Sequence, residues 1–139
     1  LWAARRQVSR ALREIKPFKV SEDIAVPRSR IAEAVERIHE IGRTHGVLVA
    51  TYGHAGDGNL HANFLYANDG ERECVDLAVR EMLRFTVSLG GTITGEHGVG
   101  LAKREFLPLE QGESLIGLQK QLKRVFDPAG ILNPGKIFG

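Results

Sequence analysis

Apolar residues recur along the chain with two periods, and the switches between them divide it into elements. Over residues 1–16, Leu1, Val8, Leu12 and Ile15 fall at roughly helical spacing among arginines, with Pro17 as the stop, which predicts a basic helix. Phe18 to Val26 reads as a short extended segment. Pro27, at a favoured first-turn position, opens a second helix. Its stripe is Ile31, Ala34, Val35, Ile38 and Ile41, with Glu33, Glu36, Arg37 and Glu40 outside it and Gly42 or Gly46 at its end. Val47 to Tyr52 is a strand by its β-branched content. After His54-Ala55-Gly56-Asp57-Gly58 the chain returns as a second strand, Asn59 to Tyr66.

The helical period resumes after Asn68-Asp69-Gly70, with Val75, Ala78, Val79, Met82, Phe85 and Leu89 on one side and Gly90-Gly91 as terminator. Thr92-Ile93-Thr94 reads as a short strand. A glycine-rich connector, 95–100, leads into a helical stretch ending before Pro108. Residues 113–126 form the last helix, with Leu115, Leu118, Leu122, Val125 and Phe126 on its apolar side. The tail, 127–139, has turn chemistry and no periodicity. Helices alternating with short strands, one pair forming a hairpin, predict an α+β domain: an antiparallel sheet covered by helices on one face.

Composition narrows the picture. At 139 residues, 42% hydrophobic and 26% charged, the chain is an ordinary globular domain, with room for one core rather than two. A net charge of +2 gives no electrostatic case for nucleic acid. No apolar run approaches the ~20 residues of a membrane-spanning helix. A lone cysteine, Cys74, excludes an internal disulfide framework and a Cys-rich zinc site; among apolar neighbours on a helix it reads as a small core residue. The opening Leu1-Trp2-Ala3-Ala4 lacks an initiator Met and reads as mid-helix, so the chain is expected to be a fragment of a longer protein.

Chemistry concentrates where glycine does: eight of the 16 glycines lie between Gly53 and Gly58 or between Gly90 and Gly100. In the strand 59–66, Leu60, Ala62, Phe64 and Tyr66 make one apolar face, and His61, Asn63 and Leu65 point the other way. His54, across the tight turn, can converge with His61. Glu96-His97 adds a carboxylate and a further imidazole at a strand exit. Two His and one carboxylate with an open position is the ligand set of a catalytic divalent-metal site, and the remaining group would be a free base beside it. Spacing does not decide between Glu96 and His97. It also leaves open His54 and His61 as plain hairpin residues and 96–97 as a surface loop. Asp57-Gly58 reads as a turn, and His39 and His45 as solvated or capping residues. Gly130 to Lys136 imitates a phosphate-binding loop, but Ile137 stands where Ser or Thr is needed and no helix can follow.

Three motifs in register, Gly53-His54-Ala55-Gly56-Asp57-Gly58-Asn59-Leu60-His61, Thr94-Gly95-Glu96-His97-Gly98-Val99-Gly100 and the run from Phe126 to Lys136, resemble the C-terminal region of FAD-linked oxidases, the group of glycolate oxidase flavin subunits and of D-lactate and D-2-hydroxyglutarate dehydrogenases. The resemblance implies a ferredoxin-like α+β cap on the substrate side of a flavoenzyme active site. It implies a divalent metal, usually zinc, on His54, His61 and Glu96, with His97 as general base. Substrate contacts carry over onto Arg5, Ser9 and Asn63, and a flavin approach onto Asn133. Relatives that take larger diacids have a lysine where Ser21 stands, with Lys19 nearby, which argues against a diacid. The implied partners are a small 2-hydroxy acid, the protein's own N-terminal FAD domain and further oxidase subunits or an electron acceptor. The implied location is the cytoplasm, with membrane association only through partner subunits. FAD would be held mainly by the N-terminal domain, since no dinucleotide fingerprint lies in these residues; alone, the fragment is expected to be inactive. The competing readings are a stand-alone metal module, either a non-haem iron oxygenase or a zinc hydrolase, and a metal-free interaction module.

Overall fold

The computed structural model describes residues 2–138, with side chains from Gln7 onward. Its elements are α1 (Trp2–Ile15), β1 (Phe18–Ala25), α2 (Ile31–Thr44), β2 (Leu48–His54), β3 (Asn59–Tyr66), α3 (Asp69–Ser88), α4 (Leu107–Glu110) and α5 (Glu113–Phe126). Single 3-10 turns, Arg28–Arg30 and Arg104–Phe106, precede α2 and α4.

The sheet is antiparallel in the order β1-β3-β2, with Asp23 opposite His61 on one side and Tyr52 opposite it on the other. A bridge from Thr92 to Ala25 adds to β1's outer edge. The path β-α-β-β-α-bridge is therefore the expected ferredoxin-like α+β fold, with its fourth strand shrunk to one residue pair. Thr92–Thr94 was expected to be a strand, and side chains explain why it stops. Ile93 N and Thr92 Oγ1 donate to the Glu110 carboxylate at 2.8 and 2.9 Å, and the amides from Gly95 onward donate to Asp23. The next ladder bond would run from Thr94 N to Asp23 O, but Thr94 N donates to Thr92 Oγ1 and Asp23 O accepts from Lys103 Nζ, so pairing ends at the Thr92–Ala25 bridge.

Alternation sorts the strands. Ile24, Val49, Leu60, Ala62 and Phe64 bury against Ala34, Ile38 and Ile41 of α2 and Val75, Ala78, Val79, Met82 and Leu83 of α3. Burying a side chain such as Phe64 stabilises by roughly 1.5–3 kcal/mol. Helix α3 starts where the sequence places it, because Asn68 Oδ1 accepts from Glu71 N at 3.2 Å. The opposite face of the sheet presents Ser21, Asp23, Tyr52, His54, His61 and Asn63.

Three local expectations need correction. Pro27 leads into a 3-10 turn, and α2 begins at Ile31. The end of α2 is as expected for one of the two glycines offered: Gly46, in the left-handed region at φ 66°, follows it, while Gly42 is inside the helix. Pro108 does not stop a helix but sits in the first turn of α4, where its missing N–H costs nothing. Cys74 is exposed, because Val75 and Ala78 already define the inward side of α3 and its neighbour faces out. Helix α5 forms as expected, yet none of its residues is buried, and Leu118, Leu122, Val125 and Phe126 face outward.

Candidate metal centre

The turn joining β2 to β3 sets the first two groups. Asp57 N and Gly58 N donate to His54 O at 3.2 and 3.1 Å, and Asp57 Oδ1 accepts from Asn59 N at 3.1 Å, so Asp57 is the turn residue its sequence suggests. His54 ends β2 and His61 is the third residue of β3, on the same face. Their rings meet edge-to-face at 5.5 Å between centroids.

The loop after the bridge delivers the carboxylate. One ligand atom each from His54, His61 and Glu96 lies within 4.8 Å of the others, and His61 Nε2 is 3.2 Å from Glu96 Oε1. Ligands at zinc distances of ~2.0–2.1 Å in a tetrahedron stand about 3.3 Å apart, a spacing the His61–Glu96 pair has at 3.2 Å, and two imidazoles with one carboxylate are a donor set that suits a divalent cation. His97 stacks along His61 at 5.5 Å, and its Nε2 lies 3.7 Å from the same Glu96 oxygen. His61 is buried, whereas His54, Glu96 and His97 are exposed, which leaves the centre open on one side. Burial pushes the His61 imidazole below its ordinary value; Asp23 and Glu96 pull it up, and His97 and His54 add to the push.

The sequence did not single out Asp23, which is wholly buried beneath this loop. Its Oδ2 accepts from the backbone amides of Gly95, Glu96 and His97 at 3.0, 2.8 and 2.8 Å and from Thr94 Oγ1 at 3.2 Å; Oδ1 accepts from Asn59 Nδ2 at 2.6 Å. Burial alone would raise its pKa, but the amides of His97 and Glu96, the Asn59 amide and the Lys103 charge hold the carboxyl well below its usual range. The only sequence signal was an acid inside a strand; its place opposite His61 emerges from register.

The remaining expected residues divide. Asn63 is fully buried with its amide committed: Oδ1 accepts from Lys19 Nζ and Ser21 Oγ, both at 3.0 Å, while Nδ2 donates to Ala50 O and His61 O. Ser9, from α1, accepts from the same Lys19 Nζ at 3.0 Å. Lys19 thus ties Ser9 and Asn63 into one cluster; burial, with Arg13 adding to it, lowers its pKa. Tyr52 also flanks His61, ring centroids 5.6 Å apart. Arg5 lies in α1, but its side chain is outside the described residues. Asn133 stands apart in an exposed turn of the tail, in the left-handed region at φ 47°. Among the described residues no helix is long and apolar enough to cross a membrane.

Comparison with known proteins extends this geometry. A family model described as FAD linked oxidases, C-terminal domain, matches residues 1–137. The chain is 45% identical over 99% of its length to glycolate oxidase subunit GlcD of Bacillus subtilis, covering 30% of that protein. It is 42% identical over 84% of its length to a mitochondrial D-lactate dehydrogenase (cytochrome) of Kluyveromyces lactis, covering 20% of it. It is 35% identical over 99% of its length to D-2-hydroxyglutarate dehydrogenase of Stutzerimonas stutzeri, covering 31%. The chain thus spans less than a third of the curated relatives it matches.

Proposed function

The chain belongs to the FAD linked oxidases, C-terminal domain, family, and on that premise we propose that it is the metal- and substrate-binding part of a flavin-dependent 2-hydroxy acid dehydrogenase or oxidase of glycolate or D-lactate type. The observation that carries this reading is the convergence of His54, His61 and Glu96 within 4.8 Å beside the ring of His97. That set lies at the open end of a sheet whose chain is similar along its length to glycolate oxidase and D-lactate dehydrogenase proteins.

In this reading FAD belongs to a separate N-terminal domain. The β1–α2 connection, 26–30, contains no glycine, so it is not a dinucleotide turn. The exposed apolar side of α5 and the tail, including Leu118, Leu122, Phe126, Ile131 and Leu132, supplies the surface on which that domain docks, and Asn133 within it approaches the flavin.

His54, His61 and Glu96 would hold a divalent cation, with zinc favoured by two imidazoles and one carboxylate. Bound there, the cation supplies Lewis acidity toward the oxygens of a 2-hydroxy acid, and the flavin supplies the hydride acceptor. His97 would take the 2-hydroxyl proton, a role supported by its Nε2 standing 3.7 Å from Glu96 Oε1 at the rim of the centre. Arg5 of α1 would pair with the substrate carboxylate through a charge-assisted contact. Ser9 and Asn63 stiffen that side of the pocket through Lys19, whose ammonium they share.

The test joins metal analysis with turnover of the flavoprotein on a panel of D-2-hydroxy acids. One divalent cation per chain and reduction of the flavin by one of these acids are expected. His97→Ala should keep the metal and lower kcat by ~10²–10⁴-fold. Wild-type turnover in that variant removes His97 as the base. Iron with flavin-independent oxygen consumption overturns the flavoenzyme assignment.

A further inference from the structure

We propose that Asp23 is the positioning residue of the metal centre: its carboxylate holds loop 94–97 in the conformation that brings Glu96 to the two histidines and His97 alongside them. The inference rests on the metal reading above, but concerns a strand residue that cannot itself be a ligand. Asp23 is wholly buried, and both of its oxygens are occupied by donors.

The argument starts from the backbone. Three consecutive amides, those of Gly95, Glu96 and His97, converge on one oxygen at 2.8–3.0 Å. Such convergence fixes the intervening dihedrals, and with them the directions in which the Glu96 and His97 side chains leave the chain. Thr94 Oγ1 extends the arrangement, donating to the same oxygen at 3.2 Å and accepting from Gly98 N at 2.8 Å. Lys103 ties the loop to the same residue from the other face of β1, its Nζ donating to Asp23 O at 2.6 Å and Ile93 O at 2.7 Å. Position 95 has no room for a side chain: a Cβ there would fall 1.8 Å from Asn59 Nδ2. The loop is clamped at close quarters rather than merely covered.

The carboxylate also faces the two rings from beneath. Its oxygens lie 4.0 Å from His61 Nδ1 and from His97 Nδ1.

Asp23→Asn keeps the size but turns one acceptor into a donor, so an NH2 must confront either the loop amides or the Asn59 amide. Cobalt(II) titration of the chain, followed by calorimetry and by the visible d–d bands, reads the consequence. Asp23→Asn is expected to weaken binding by about 10–100-fold and to give the spectrum of Glu96→Gln. Because Asp23 acts through Glu96, adding Asp23→Asn to Glu96→Gln should cost no further affinity, a result that general destabilisation would not produce. Gly95→Ala displaces the loop with every charge kept and should weaken cobalt binding in the same way; it decides the matter where Asp23→Asn fails to fold. Wild-type affinity in Asp23→Asn or Gly95→Ala, or additive losses in the double variant, overturns the role of Asp23 and leaves the metal reading intact. Absence of cobalt binding by the wild-type chain overturns both.

Discussion

The two faces of the sheet bury comparable residues for opposite reasons. Beneath α2 and α3, Leu60, Ala62 and Phe64 of β3 are buried among aliphatic and aromatic neighbours, and removal from water is their whole contribution. One step along the same strand, His61 and Asn63 are equally hidden, yet what they meet on that side is polar or a ring: Asp23, Lys19, Ser21, Glu96, Tyr52 and neighbouring carbonyls. Hydrogen bonds there offset desolvation and leave little net stability, but they fix direction. A period-two element thus separates what holds the domain together from what it does, and substitutions at adjacent positions should separate the two experimentally.

The largest effect belongs to that contrast. Phe64→Ala opens a cavity against α2 and α3 and should cost about 3–5 kcal/mol in urea denaturation. Its neighbour three positions earlier behaves differently: His61→Ala should cost about 1 kcal/mol in the metal-free chain while abolishing cation binding. Equal losses of stability in the two variants would show that the polar face carries the fold as much as the apolar one does.

Glu22 is the misfit of the apolar face and sharpens the comparison further. It lies in β1 opposite Ala62, buried, with Lys103 Nζ 3.3 Å from its Oε2. Burial raises its pKa above the ordinary 4.5, Lys103 opposes, and the charge of Asp23 adds to the rise. A carboxyl whose folded pKa is raised contributes stability that is complete below its unfolded value and is lost as pH climbs through the folded value. The wild-type chain should therefore lose stability relative to Glu22→Gln as pH increases from about 4.5 toward neutrality, while Lys103 keeps its two carbonyl acceptors. Parallel urea midpoints for the two chains across that window would show that Glu22 titrates as an ordinary surface acid.

What the sequence makes legible follows the same division. Alternation alone identifies the two faces of β3, and Asn68 with the stripe from Val75 to Met82 identifies α3, because each signal is local and repeated. The hairpin turn likewise announces that His54 and His61 can meet. Asp23 escapes notice because its meaning depends on register with β3 and on a loop more than 70 residues away. Thr92–Thr94 looks like a strand by composition, yet Glu110 takes the Ile93 amide and Lys103 takes the Asp23 carbonyl that would continue the ladder, and no local pattern contains that competition. The Asn63 amide bonds within the domain to Lys19 and Ser21, and no local pattern in the sequence reveals those bonds.

Helix α5 gives the smallest effect on the chain and tests what periodicity leaves unsaid. An apolar stripe predicts that a helix will be covered, but not by what. Leu118 and Leu122 are each 51% exposed and Phe126 is 80% exposed, so the described residues do not cover them. Leu122→Ser should therefore shift the urea midpoint of this chain hardly at all, a change within about 0.5 kcal/mol. In the flavoprotein the same substitution removes apolar area from the proposed contact with the FAD domain, so its thermal unfolding should come earlier and its flavin should be released more readily. A large loss in the chain by itself would mean that α5 is packed within this domain. No change in either setting would mean that the FAD domain docks elsewhere, and the apolar side of α5 would then need a different partner.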